Sequence, residues 1–119
     1  HGAIVVGATL VLTPGDPAAL AEEYRRVWLE KAAAQPAMAA RSAGCIFRNP
    51  PGAAAGALID RAGLKGTRRG AAEISTRHAN FIVAYPGATA QDVLDLITLA
   101  KDRVHAAFDV ELETEVEIW

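Results

Sequence analysis

The sequence predicts an α+β fold, in which a small sheet has helices packed on one of its sides. The predicted elements follow the order β, α, short β, α, β, β, α, β, which places two strands next to each other in the chain. Those neighbours, residues 71–75 and 80–85, are short apolar runs joined by a turn, as in a hairpin. Residues 90–108 carry an apolar stripe at helical spacing.

Length, charge and composition exclude several classes of protein. A chain of 119 residues is one domain, or one domain with a fragment of another. With 22% charged residues and a net charge of −2, it lacks the basic balance of a nucleic-acid-binding face. One cysteine rules out an internal disulfide framework and fits a reducing, cytoplasmic compartment. We expect a monomer, and because the chain opens on His1 we expect a piece of a longer protein.

Two further kinds of site are not expected. The apolar run from Gly2 to Leu12 is far shorter than the ~20 residues of a membrane span, and no basic segment precedes it. No cysteine or carboxylate stands at metal-ligand spacing around His78, so we expect no metal. His78 itself is open to interpretation as a structural turn residue or as a ligand or acid–base group.

The N-terminal part is predicted as a strand followed by a helix. Residues 3–13 are β-branched and apolar, which indicates one buried strand that needs a neighbouring sheet. Asp16 and Pro17 form a helix start, and the helix should run to about Ala34, ahead of Pro36. Tyr24 and Trp28 recur at helical spacing within it, so we expect both in the core.

A second helix is predicted over residues 53–62, with Gly63 just past its end. The basic turn that follows contains Lys65, Arg68 and Arg69. Such a turn is either a solvated loop or a site for an anionic group such as a diphosphate. The sequence leaves both interpretations open.

The C-terminal part is predicted as a capped helix and an alternating strand. Thr89 and Asp92 form a capping box at the start of the helix. Residues 110–118 then alternate apolar and acidic side chains, with one face formed by Glu111, Glu113, Glu115 and Glu117. That face is either solvated or contributes a functional carboxylate, and spacing alone does not say which.

The segment Ser42–Gly56 is the strongest candidate for a functional site. It presents the thiol of Cys45, the guanidinium of Arg48 and the carboxamide of Asn49 within a few residues of a proline turn. Asn49 precedes a proline, which holds it in an extended conformation. The alternative interpretation is a core strand in which Cys45 is a small buried hydrophobic residue.

The motif SAGCIFRNPPG in this segment resembles the signature of the UDP-N-acetylenolpyruvoylglucosamine reductase (MurB) family, usually S-A-G-S-x-F-K/R-N-P. Further motifs follow in the family's order over about two thirds of the chain, namely Leu58–Gly66, Gly70–Ser75, His78–Val83, Gly87–Val93 and Leu112–Val116. The family's members are flavoenzymes of peptidoglycan precursor synthesis, and thus of cell wall biogenesis, cell shape and cell division. The resemblance therefore implies an oxidoreductase that converts UDP-N-acetylglucosamine enolpyruvate to UDP-N-acetylmuramate.

The resemblance also implies a domain organisation. Residues 1–15 would be the last strand of an upstream FAD-binding domain, and residues 16–119 the substrate-binding domain. FAD and NADPH would be bound mainly by that upstream region, so we expect this fragment alone to be inactive.

The resemblance assigns roles to four residues. Cys45 stands where the family has its proton-donating serine, and Glu115 matches the glutamate that polarises the developing enolate. Asn49 and Arg48 match substrate contacts. The competing hypothesis is a non-catalytic α+β interaction module, in which Cys45 only packs and the glutamates are solvated. A thiol close to the Glu115 carboxylate on an open face would favour the enzyme.

Overall fold

A computed structural model describes residues 4–37 and 39–118 as three helices and a three-stranded antiparallel sheet. The elements are α1 (Pro17–Ala34), α2 (Ala55–Arg61), β1 (Arg68–Arg69), β2 (Ala72–Ile74), β3 (Ile82–Ala84) and α3 (Ala90–Phe108). The strands lie in the order β1-β2-β3, and α3 contacts all three while α2 packs on α3. The α+β prediction is confirmed.

The sheet is extended at one end by two isolated bridges. Ile74 pairs with Ile82 in the β2–β3 hairpin, and just beyond it Cys45 pairs with Phe81. Phe47 then pairs with Thr114. The segment that contains the cysteine therefore lies between the hairpin and the C-terminal segment.

The core lies between α2, α3 and the hairpin. Its largest fully buried side chains are Ile59, Ile74, Leu96 and Val104. Truncating such a residue to alanine removes apolar contact and leaves a cavity, at a cost of about 2–5 kcal/mol. This core holds the cysteine segment in place, because Ile46 and Phe47 belong to the same cluster.

The start of α3 is fixed by reciprocal hydrogen bonds. The Thr89 hydroxyl accepts from the backbone N–H of Asp92 (3.2 Å), and the Asp92 carboxylate accepts from the N–H of Thr89 (2.9 Å). The predicted capping box is confirmed. The carboxylate also accepts from Ala71 N–H (3.5 Å), and Gly70 has φ +49 with no room for a Cβ beside it. The close approach at Gly70 thus ties the β1–β2 turn to the helix.

The prediction for the first strand is wrong for the described residues. Residues 4–13 form no strand and their apolar side chains are exposed, while Ala3 lies outside the described residues. The physical reason is that a strand needs a partner for its ladder, and no described segment lies alongside. Its assignment to an upstream domain stays a prediction.

Helix α1 has the predicted bounds but not the predicted packing. Asp16 Oδ1 accepts from Ala18 N–H (3.2 Å) at its start, and the helix ends at Ala34. Tyr24 is 69% and Trp28 44% exposed, so the prediction that both are core residues is wrong. They stack on each other instead, because α1 packs against no other described helix or strand. None of the described helices is long and apolar enough to cross a membrane.

The C-terminal segment shows the predicted alternation without the predicted continuous strand. Leu112 is buried and the four glutamates are exposed. Backbone bonds run from Arg48 N–H to Glu113 O (2.9 Å) and from Glu115 N–H to Ile46 O (2.8 Å). Thr114 is the only described residue of this segment that pairs in a β-bridge, with Phe47. The pairing goes no further because the cysteine segment turns away at Pro50 and Pro51.

Candidate active site

Cys45 sits on a short extended segment that begins after a left-handed turn. Gly44 has φ +87, a conformation that L side chains rarely adopt, and it places Cys45 opposite Phe81. The next residue, Ile46, donates its N–H to Asn80 O (2.9 Å). Cys45 is half-buried, whereas Ile46 and Phe47 are sealed in the core.

Asn80 is buried, at 3% exposure, and holds the same segment with its side chain. Its Oδ1 accepts from Phe47 N–H (2.9 Å), and its Nδ2 donates to Phe47 O (2.7 Å). Both backbone polar groups of Phe47 are therefore satisfied by one carboxamide. Asn80 was predicted as the first residue of the strand over residues 80–85, a position that gives no sign of this role.

Burial raises the pKa of the Cys45 thiol, and the Glu115 carboxylate raises it further, while a hydrogen bond from the Asn80 amide lowers it. A thiol has an ordinary pKa near ~8.5. Cys45 is therefore protonated at neutral pH. A protonated thiol is suited to giving up a proton rather than to nucleophilic attack.

Glu115 lies beside the cysteine segment. Its backbone N–H donates to Ile46 O (2.8 Å), and its charge acts on the thiol of Cys45. Its side chain is exposed. The structure thus brings together a thiol and a carboxylate that are far apart in the sequence.

A cleft of about 290 Å³ opens next to the thiol, and we call it the Cys45 cleft. It is lined by Cys45, Asn49, Ala54, Gly56, Ala57, Asp60, Lys65, Arg77, His78, Ala79 and Asn80. Two cationic side chains, Lys65 and Arg77, face it. Such a wall suits an anionic ligand, since Lys and Arg are common partners of phosphate groups.

Asn49 and Arg48 take different positions. Asn49 lines the cleft, and its Oδ1 accepts from Ala55 N–H (2.9 Å) at the start of α2. Arg48 Nη1 pairs with Glu113 Oε1 (3.1 Å), and both side chains are exposed. Arg48 is not among the residues that line the cleft.

The basic turn does not converge on one point. Lys65 pairs with Asp60 (2.7 Å) at the Cys45 cleft, whereas Arg68 belongs to β1, pairs with the buried Glu73 and lies over the Tyr85 ring. The sequence predicts one basic turn here, because two residues are too short a run to show strand periodicity. Only Lys65 of the three cations faces the cleft.

His78 and Arg77 complete the turn between β2 and β3. His78 Nδ1 accepts from Asn80 N–H (3.2 Å), and its ring meets the Phe81 ring edge-on. Arg77 donates to the carbonyls of Ala32 and Gln35 at the end of α1, both at 3.3 Å. The described residues hold no group of three metal-ligating side chains.

Two larger depressions lie away from the thiol. One, of about 520 Å³, is mostly apolar and lies between the end of α1 and Arg77. The other, of about 390 Å³, is lined by residues of β2, β3 and the segment after α1. Neither is lined by Cys45, so the smaller cleft, which is lined by it, is the candidate active site.

Comparison with known proteins decides the family. The sequence model of the UDP-N-acetylenolpyruvoylglucosamine reductase C-terminal domain matches residues 35–119. The chain belongs to this reductase family. It is 47% identical over 117 residues to UDP-N-acetylenolpyruvoylglucosamine reductase 2 of Symbiobacterium thermophilum, covering 98% of this chain and 38% of that protein. It is 46% identical to the reductase of Alkaliphilus oremlandii over 118 residues, covering 99% of this chain and 38% of that relative.

The reductase fold is also shared with a solved structure. The crystal structure of UDP-N-acetylenolpyruvylglucosamine reductase (MurB) from Thermus caldophilus superposes with a TM-score of 0.69 at 41% identity. The match covers 86% of this chain and 35% of that structure. The chain therefore spans little more than a third of the reductases it resembles.

Proposed function

We propose that this chain is the substrate-side domain of an enzyme that reduces UDP-N-acetylglucosamine enolpyruvate to UDP-N-acetylmuramate in peptidoglycan precursor synthesis. Membership of the reductase family supports the reaction. The observation that carries the assignment to this domain is the half-buried thiol of Cys45 at an open cleft, with its pKa raised by burial and by the charge of Glu115. The half-buried thiol at a cleft favours an enzyme over the interaction module, in which the cysteine only packs in the core.

The proposed chemistry of this domain is a proton transfer. Once hydride has been added to the methylene carbon of the enolpyruvyl group, negative charge lies on the adjacent carbon and the carboxylate. That carbon needs a proton, and the Cys45 thiol supplies it as a general acid. The sulfur is left as a thiolate, which regains its proton from solvent.

Glu115 has a separate role in this proposal. It lies next to the acid, where a carboxyl group, acting as an acid or through water, helps to polarise the developing enolate. Its charge also disfavours the thiolate, so the thiol stays protonated until it donates its proton to the carbon. The two residues thus act on the same enolate from neighbouring segments.

The Cys45 cleft would hold the anionic part of the sugar nucleotide. Lys65 and Arg77 face it and would offer charge-assisted hydrogen bonds to a diphosphate, Lys65 once it leaves its pair with Asp60. Asn49 adds a carboxamide on the same wall. Arg48, whose guanidinium is turned toward Glu113, would reach the substrate only after leaving that exposed pair, which is weak.

The Cys45 cleft is too small to hold FAD or NADPH in addition to the sugar nucleotide. About 290 Å³ lies at the lower end of pockets for single small ligands, and the sugar nucleotide already needs it. The sequence also lacks a glycine-rich dinucleotide loop. We therefore place both cofactors mainly outside this chain and derive no step through them. A cytoplasmic, monomeric enzyme remains our expectation.

The first test is made on the full-length protein. It should be isolated with FAD and should oxidise NADPH only when the enolpyruvyl sugar nucleotide is present. A colourless protein, or equal oxidation with unrelated enones, would remove the assignment.

The second test concerns Cys45. Cys45→Ala should leave flavin reduction by NADPH nearly intact and slow the second half-reaction by about 10²–10⁴-fold, the usual contribution of a positioned acid. Cys45→Ser should retain more activity, since a hydroxyl is the family's usual donor. Rapid-mixing measurements separate the two half-reactions, and equal loss in both would indicate a folding role.

A further inference from the structure

Asn80 makes an unusual set of contacts for a residue outside the predicted site. Its carbonyl O accepts from Ile46, and its side chain both donates to and accepts from Phe47. Three hydrogen bonds thus join one residue to the two positions directly after Cys45. All three span more than 30 residues of sequence, so they position one segment against another rather than shape a local turn.

The neighbouring buried polar residue, Ser75, shows what a local role looks like. Its Oγ accepts from the N–H groups of Arg77 and His78, two and three residues ahead, and so it only shapes the hairpin turn. Asn80 needs none of its side-chain groups for the hairpin. Its backbone N–H is satisfied by His78 Nδ1 instead.

We propose that Asn80 is a positioning residue for the Cys45 thiol: its carboxamide fixes the Cys45–Phe47 segment and directs the sulfur toward the cleft. The proposal rests on the proposed function, in which Cys45 is the proton donor. Asn80 itself need not touch the reacting carbon. It acts through its hydrogen bonds to the backbone N–H and C=O of Phe47, and through its effect on the sulfur.

The carboxamide also has the right chemistry for a neighbour of a titrating thiol. Its NH₂ group has two hydrogens, and the bond to Phe47 O uses one. The second is not used by Phe47, and the effect of the amide on the sulfur lowers the thiol pKa, against burial and the Glu115 charge, which raise it. The other charged or titratable groups that face the cleft are Asp60, Lys65, Arg77 and His78.

The test compares Asn80→Asp and Asn80→Ala in the full-length enzyme. Aspartate keeps the acceptor for Phe47 N–H but replaces the donor by an oxygen, which repels both Phe47 O and a thiolate. We expect the thiol pKa to rise in both variants, and more in Asn80→Asp. It is measured from the rate of iodoacetamide alkylation against pH, with Cys45→Ser as the blank. The second half-reaction should slow by about 10²-fold, the cost of misplacing a reacting group by ~1 Å.

Thr89→Ala is the matched control. It removes the α3 cap, lies outside the cleft and costs about 1 kcal/mol of stability. It should lower the thermal midpoint without moving the thiol pKa or the rate of the second half-reaction. If the Asn80 variants behave like Thr89→Ala, the role of Asn80 is structural and the proposal is overturned.

A measurement on the wild type avoids variants that fail to fold. The side-chain amide resonances of Asn80, seen by NMR with selective asparagine labelling, should shift with the same midpoint as the alkylation of Cys45. Resonances that stay constant through that pH range would also overturn the proposal. Failure of the proposed function looks different, because Cys45→Ala would then keep full turnover while Asn80→Asp still raised the thiol pKa.

Discussion

The four glutamates of the C-terminal segment share one exposed face but have different neighbours. Glu113 pairs with Arg48, and the backbone of Glu115 is bonded to the cysteine segment. The Glu115 charge acts on the Cys45 thiol, whereas no such effect is found for Glu111 or Glu117. A common position in the alternating pattern therefore does not mean a common role.

Glu115→Gln in the full-length enzyme is expected to cut turnover by about 10²–10⁴-fold, because it removes an ionisable group next to the reacting carbon. The thermal midpoint should stay near that of the wild type, since the side chain is exposed. Turnover and thermal unfolding, measured on the same preparation, check both statements.

The matched controls are Glu111→Gln and Glu117→Gln, which change the same charge on the same face. Both should stay within roughly ±0.5 kcal/mol in stability and near wild type in turnover. Glu113→Gln breaks an exposed ion pair, and such a pair contributes roughly 0–1 kcal/mol to the free energy of unfolding. A loss of turnover at Glu111 or Glu117 equal to that at Glu115 would show that the carboxylate has been wrongly chosen.

The start of α3 is stabilised by a single charged group, the carboxylate of Asp92. Hydrogen bonds from the Thr89 backbone lower the pKa of Asp92 below its ordinary value, with a further contribution from Ala71 N–H. A carboxylate with a lowered pKa adds stability above its unfolded value near ~3.9, and that stability is lost as pH falls through the folded pKa.

The stabilisation by Asp92 should therefore disappear in acid. Asp92→Asn should have a lower thermal midpoint than the wild type at pH 7, and the difference between the two should shrink as the pH falls below about 4. Asp102→Asn removes an exposed charge from the same helix and serves as the control. A difference that stays constant with pH would show that the charge of Asp92 contributes nothing.

The sequence predicted a structural feature well where that feature depends on residues close by in the chain. Caps act within one turn of helix, so Asp16 and Thr89 gave the bounds of α1 and α3 closely. Burial depends on what lies alongside, and there Tyr24 and Trp28 were misjudged. Cys45 could be predicted as a candidate site residue from its sequence motif. The role of Asn80 could not, because the side chain of Asn80 contacts a residue more than 30 positions away.

For the molecule as a whole, the core and the N-terminal third behave differently. The buried apolar cluster runs from Ile46 to Leu112, whereas α1 has no buried residue and residues 4–13 are exposed. The Cα radius of gyration is 17.2 Å. A compact chain of this length would have about 13.5 Å. The excess reflects an N-terminal third that lies outside the core.

Removing residues 1–34 from this chain should therefore cost little stability. The truncated chain loses the Arg77 contacts with α1 but keeps the whole buried cluster. We expect the free energy of unfolding to change by less than about 1 kcal/mol, as for exposed sites. Leu96→Ala, by contrast, should cost about 2–5 kcal/mol. Denaturant unfolding of the three chains makes the comparison, and a truncated chain that fails to fold would contradict it.

The contacts of Arg77 with the end of α1 also determine where a protease should cut. Cleavage needs a locally unfolded segment, and α1 is held to the rest of the chain mainly by two hydrogen bonds of 3.3 Å from one exposed side chain. Arg25, Arg26, Lys31 and Arg41 are exposed trypsin sites at or near this helix. The cysteine segment is held by the buried cluster, which runs from Ile46 to Leu112. Brief digestion of this chain should therefore release the helix in pieces and leave a resistant fragment that still contains Cys45, Asn80 and Glu115.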